Sequence, residues 1–155
     1  MVLNVMKNIK AIHKEDIVLL KIGGFYHTYG RDAYIISYLF GYRIKIVEDN
    51  ISTCGFPVQS LNKIIAKLEE KKINYIVLDR RNDYEVDLEF DFGNLNSYSE
   101  IYEKAKIYVN YKRRIDNINN FLLENIQEEN FKEILKQMEE VIDERRKVQD
   151  NPIYT

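Results

Sequence analysis

The 155-residue chain has no tryptophan, one cysteine, two prolines, two histidines and six glycines. Each scarcity closes off a class of protein. A single cysteine, Cys54, excludes an internal disulfide and any cysteine metal cluster. His27 has no partner carboxylate pattern, and with only His13 beside it in the whole chain, histidine-based catalysis or metal ligation has little to build on. No run approaches the ~20 apolar residues that span a bilayer, and residues 1–14 lack the continuous apolar core of a signal peptide. No glycine-rich loop ends in Gly-Lys-Ser/Thr, so a nucleotide-binding P-loop is missing. The expectation is a reduced, cytoplasmic protein that is not an enzyme, binds no cofactor or metal, and does not enter a membrane.

Nor is there an excess of positive charge. The formal net charge is −2, from 23 Lys and Arg against 25 Asp and Glu. That argues against a module held to nucleic acid by bulk phosphate attraction, although local basic patches set local potential. What the chain does have is 45% hydrophobic residues, twelve tyrosines and seven phenylalanines. This is enough for a substantial core and excludes a disordered tail.

Hydrophobic periodicity organises the chain. Leu3, Met6, Ile9 and Ile12 repeat at helical steps. Residues 17–22 are an apolar, β-branched run closed by Gly23-Gly24, which predicts a buried strand. Ala33, Ile36, Leu39 and Phe40 line one face of a predicted helix over 31–40, stopped by Gly41. Residues 42–47 alternate as a half-buried strand, 52–56 are extended, and Pro57 ends them. Ser60 caps or begins a helix to residue 72 with a stripe of Leu61, Ile64, Ile65 and Leu68. Residues 74–78 form another strand. Residues 84–92 alternate apolar side chains with Glu85, Asp87, Glu89 and Asp91. Such an acidic row resembles a metal cluster on paper, but it fits a solvated edge strand better. Beyond the linker at 93–97, two long helical patterns cover about 99–125 and 128–147. The whole is an α/β domain (1–95) with a mixed β-sheet flanked by helices, followed by a C-terminal antiparallel helical hairpin (98–149). The hairpin carries apolar stripes that two helices cannot cover alone, so it is expected to pack on the first domain, on another copy of the chain or on a partner protein. Tyr108, Tyr111, Lys112, Arg113 and Arg114 interleave rings and cations on its first helix. They are either a solvated helix face or a grip for single strands.

The run Gly23-Gly24-Phe25-Tyr26-His27-Thr28-Tyr29-Gly30-Arg31-Asp32-Ala33, placed after a strand, resembles a segment of the N-terminal mismatch-recognition domain of MutS. That segment reads glycine, any residue, Phe-Tyr-Glu, then an aromatic and acidic stretch ending in Asp-Ala. Cys54-Gly55-Phe56-Pro57 resembles the family's Ala-Gly-Ile-Pro element, and the helix from Ser60 resembles the one after it. The likeness covers roughly residues 3–92. It implies the family's α/β fold and a DNA-recognition role in which Phe25 wedges beside a mispaired base, Tyr26 supports it and His27 contacts the base. His27 stands where the family pattern has glutamate, offering a hydrogen bond without a fixed carboxylate. Lys21, Arg31, Arg43 and Lys45 are the candidate phosphate contacts, if they share that face. The family's clamp and ATPase have no counterpart here. The expectation is therefore a stand-alone MutS-like module that binds mismatched or distorted double-stranded DNA with the help of oligomerisation or a partner. The alternative is an interaction or oligomerisation module that keeps the fold without binding DNA.

Overall fold

A computed structural model describes residues 2–93 and 95–150. In chain order the elements are α1 (Val2–Ile12), β1 (Ile17–Ile22), β2 (Phe25–Tyr29), α2 (Arg31–Phe40), β3 (Lys45–Ile46), β4 (Ser52–Pro57), α3 (Leu61–Glu70), β5 (Tyr75–Asp79), β6 (Glu85–Phe90), α4 (Ser97–Glu124) and α5 (Phe131–Gln149). The six strands form one mixed sheet in the order β3-β4-β2-β1-β5-β6, in which only β1 and β5 run parallel. This is the α/β class that the sequence pattern predicts. Among the described residues no helix is long and apolar enough to cross a membrane.

The apolar run of β1 is buried because it sits near the centre of the sheet with side chains covered on both faces. Ile17 and Leu19 point into a core closed by α2, α3 and the first turns of α4, where Ile36, Phe56, Ile64, Leu68 and Tyr98 meet. Val18 and Leu20 point the other way and pack with Met6 of α1, Ile76 and Leu78. The two faces of the sheet therefore have separate cores, and the smaller one is roofed by α1 alone.

β2 was not apparent from apolar periodicity, since the run after Gly23-Gly24 reads as a turn leading into a helix. Gly23 adopts φ +62 and closes a two-residue hairpin that returns the chain antiparallel to β1. Gly41 ends α2 as expected, with φ +76 and its N–H donating to the Ser37 carbonyl. The expected half-buried strand over 42–47 is corrected to the two residues of β3, both exposed. It borders only β4 at the sheet edge, so nothing covers Ile46. Ser60 makes no side-chain cap, because a 3-10 turn over Val58–Ser60 already places its backbone in helical geometry. Ile12 is exposed rather than buried, since α1 runs past the small core at that end. β6 is the other edge strand, and its acidic residues and its Val86, Leu88 and Phe90 are all exposed.

The chain divides into two compact units, Met1–Tyr111 and Lys112–Thr155. The α/β unit runs past the linker because the start of α4 belongs to its core. Ala105 is fully buried, and the Tyr98 hydroxyl donates to Asp32 Oδ1 at 2.6 Å. Asp32 is itself inaccessible to solvent, ion-paired to Lys10 Nζ at 3.0 Å and accepting the Val18 N–H at 3.0 Å. Burial raises its pKa, against the pull of these three partners. One carboxylate thus ties α1, β1, α2 and α4 together. The second unit holds the rest of α4 and α5. Leu122, Phe131, Ile134 and Met138 are half-buried there, while Ile115, Ile118, Val141 and Ile142 are exposed.

Candidate nucleic-acid interface

Alternation along β2 sorts its five residues onto opposite faces of the sheet. Tyr26 and Thr28 are buried; Phe25, His27 and Tyr29 lie on the face that α1 only partly roofs. Pairing across the strands then builds three rows on this face. Phe25 sits between Ile22 and Pro57, His27 between Leu20 and Gly55, and Tyr29 is followed by Thr53 and Lys45.

Phe25 is 53% exposed at the mouth of the β1–β2 hairpin, a large apolar ring held out from the fold. Its position is rigid, because β2 is clamped to β4 by more than the strand ladder. The Thr28 hydroxyl donates to the Cys54 carbonyl at 2.8 Å, and the Thr53 hydroxyl donates to the Thr28 carbonyl at 2.9 Å. The Val58 N–H also donates to the Gly24 carbonyl at 3.1 Å, pinning the hairpin turn itself. Beneath, Tyr26 stacks on Phe56 at 5.6 Å between ring centroids, and Phe56 on Tyr42 at 5.9 Å.

His27 is half-buried. Its ring stacks near-parallel to Tyr29 (6.5 Å between centroids, 20°) and lies beside Gly55. A Cβ at position 55 would stand 3.3 Å from the Tyr26 carbonyl oxygen and 3.6 Å from His27 Nδ1, so glycine leaves room for the ring. Burial lowers the His27 pKa. At neutral pH the ring is uncharged, with one nitrogen donating and the other accepting. The Tyr29 hydroxyl is raised mainly by burial and then by Tyr84, and is drawn back down by Arg80. Arg80 thereby brings a cation to this face, from the 3-10 turn Arg80–Asn82 after β5.

The predicted site residues divide as follows. Phe25, His27 and Lys45 share the open face. Tyr26 is 5% exposed and belongs to the core beneath, where it stacks on Phe56. Lys21 pairs with Tyr26 and Asp79, which puts it on the opposite side of the sheet from Phe25. Arg43 is exposed in the segment before β3. Arg31 opens α2 and lays its guanidinium 5.1 Å from the Tyr102 ring centroid. The fold adds Tyr29, Gly55 and Arg80 to this face. The period-two spacing of Phe25, His27 and Tyr29 was the available signal. Cys54 is buried in the core, and burial pushes its thiol up to about 12, which makes it inert at neutral pH.

Exposed aromatics on a clamped strand, with a flat glycine beside them and cations at the margin, define a surface suited to flat, stackable ligands. Comparison with known proteins gives this fold its family. The family model described as MutS domain I matches residues 2–90, and the chain belongs to that family. The same region is similar to the DNA mismatch repair protein MutS of Parabacteroides distasonis, 31% identical over 80 residues. It is also similar to MutS of Rickettsia rickettsii, 29% over 77 residues, and of Thermodesulfovibrio yellowstonii, 32% over 79. These alignments cover 49%, 47% and 48% of this chain but 9% of each relative, so the chain spans less than a tenth of the length of the curated relatives it matches.

Proposed function

We propose that the chain is a non-enzymatic DNA-recognition module that engages mispaired or distorted duplex through the open face of β2. The observation that carries this reading is the exposure of Phe25 at the tip of the hairpin, in a chain of the MutS domain I family. Inserting an apolar ring between base steps costs unstacking energy, and that cost is least where pairing is already faulty. A wedge mounted on a rigid strand therefore discriminates by the deformability of the duplex. His27 stands two residues along the same face, where a neutral imidazole offers a hydrogen bond to a base edge. Lys45 and Arg80 lie at the margins of the face, where phosphates would pass.

The test is fluorescence anisotropy with matched, mismatched and single-stranded oligonucleotides at two salt concentrations. The expected result is salt-sensitive binding that favours the mismatched duplex, with the preference lost in Phe25→Ala. Equal affinity for matched and mismatched duplex in the parent chain would contradict the reading.

A second reading concerns the Lys112–Thr155 unit. Ile115 and Ile118 of α4 and Val141 and Ile142 of α5 are each about half exposed. Four such residues on two helices favour a protein-association surface, with a second copy of the chain as the simplest partner. Sedimentation velocity on the parent and on Ile115→Glu/Ile142→Glu tests it. The expected result is a concentration-dependent dimer in the parent that the double variant lacks.

A further inference from the structure

The open face of β2 does not end at Tyr29. There it runs into a groove of about 390 Å³ between α1 and the start of α2. Met6 and Ile51 contribute to its apolar floor, and Tyr29 walls the side nearest His27. Its charged lining is entirely cationic: Lys7, Lys10 and Lys14 from α1 and the turn after it, and Arg31 from α2. Lys10 is committed to Asp32 and to the carbonyl oxygens of His13 and Asp16. Lys7 and Lys14 are exposed, and Lys7 approaches Asp49, itself exposed, at 3.5 Å. Such a surface pair contributes little and yields readily to a stronger anion. Among the described residues no acidic side chain lines the groove itself.

Resting on the DNA reading above, we infer that this groove seats the sugar–phosphate backbone of the strand that Phe25 enters, with Lys7 and Lys14 facing its phosphates. Charge complementarity carries the assignment. In a chain of net charge −2, an apolar groove with the exposed cations Lys7 and Lys14 at its rim, and no acid among the described residues that line it, is matched to a polyanion with apolar sugar faces. Continuity with the wedge supports it. Phe25 and Tyr29 are four residues apart on one strand, about 13 Å at the usual rise. That distance corresponds to roughly four base steps along a duplex. Tyr29 borders both surfaces. The two parts have separate tasks: the groove supplies sequence-independent affinity and register, and the ring supplies discrimination.

The experiment compares the full chain with Lys7→Gln/Lys14→Gln, with Phe25→Ala, and with a control, Lys132→Gln/Lys136→Gln, on matched and mismatched duplexes across a salt series. The groove variant changes two exposed side chains, and a circular dichroism melt confirms that it folds. It is expected to bind both duplexes more weakly by the same factor and to lower the log–log salt slope by about 2, roughly one per lost phosphate contact. The control is expected to keep the parent slope. If Phe25→Ala loses mismatch preference while the groove variant keeps the parent slope and affinity, the groove assignment is overturned and the wedge reading stands. If the parent binds neither duplex, both fall.

Discussion

On one face of the sheet, Tyr26, Cys54 and Phe56 are sealed beneath helices; on the other, their immediate strand neighbours Phe25, His27 and Gly55 lie beyond the reach of α1. The residues are similar in kind and differ in what covers them. The sealed face has α2, α3 and the first half of α4 over it, and Tyr26, Phe56 and Tyr42 stack on one another there. Over the open face lies the eleven-residue α1, which covers β1 and β5, reaches Tyr29 at the end of β2, and leaves Phe25, Gly55 and Pro57 exposed. A single strand, β2, thus belongs to the core on one side and to an open surface on the other. The rigidity of the first makes the geometry of the second possible.

The comparison breaks most sharply under substitution of one aromatic from each face. Phe56→Ala is expected to cost about 3–5 kcal/mol of unfolding free energy, as for a large ring removed from a filled core. Phe25→Ala is expected to stay within about 0.5 kcal/mol of the parent, because its ring is mostly in water. Urea denaturation of both variants checks this, and a large loss from Phe25→Ala would mean that the ring packs rather than projects.

The tie between the two faces is the next most sensitive point. Lys10→Met would leave the Asp32 carboxylate buried without its ammonium, and the expected cost at pH 7 is about 3 kcal/mol, the low end for a broken buried pair. The folded-state pKa of Asp32 is already raised by burial, so the folded chain binds that proton more tightly than the unfolded chain does. Removing Lys10 strengthens this effect. The deficit should therefore shrink as pH falls from 7 to 5, and denaturation at the two pH values measures it.

A smaller effect sharpens the comparison at His27. Its pKa is lowered in the fold, so between that value and the ordinary histidine value the unfolded chain holds more protons. Stability contributed by the neutral ring is lost as pH drops below about 6.5. Melting temperatures at pH 7.5 and 5.5 should converge slightly more for His27→Gln than for the parent.

The regular elements with a continuous or helically spaced apolar run are legible from residue order alone. The helix Arg31–Phe40, its stop at Gly41 and the strand Ile17–Ile22 follow from local periodicity and one glycine, which need no knowledge of distant contacts. β2 was harder, because its inward side holds Tyr26 and Thr28 and its outward side Phe25, His27 and Tyr29. Aromatics on both faces hide the alternation. Which cations share the face of Phe25 depended on register: Lys21 falls on the sealed side through its pairing with Tyr26, and Lys45 reaches the open side through Thr53. The Lys10–Asp32–Tyr98 network joins residues 22 and 66 positions apart, and no local pattern announces it. The groove beside Tyr29 is likewise made by helices separated in sequence.

The central claim is that the ring at the hairpin tip enters the base stack, and a duplex carrying 2-aminopurine beside a mispair measures this most directly. The parent chain is expected to raise 2-aminopurine emission at the mispair and leave a matched duplex unchanged, and Phe25→Ala to raise neither. Equal emission from the parent and Phe25→Ala, with both chains bound to the mispaired duplex, would contradict it.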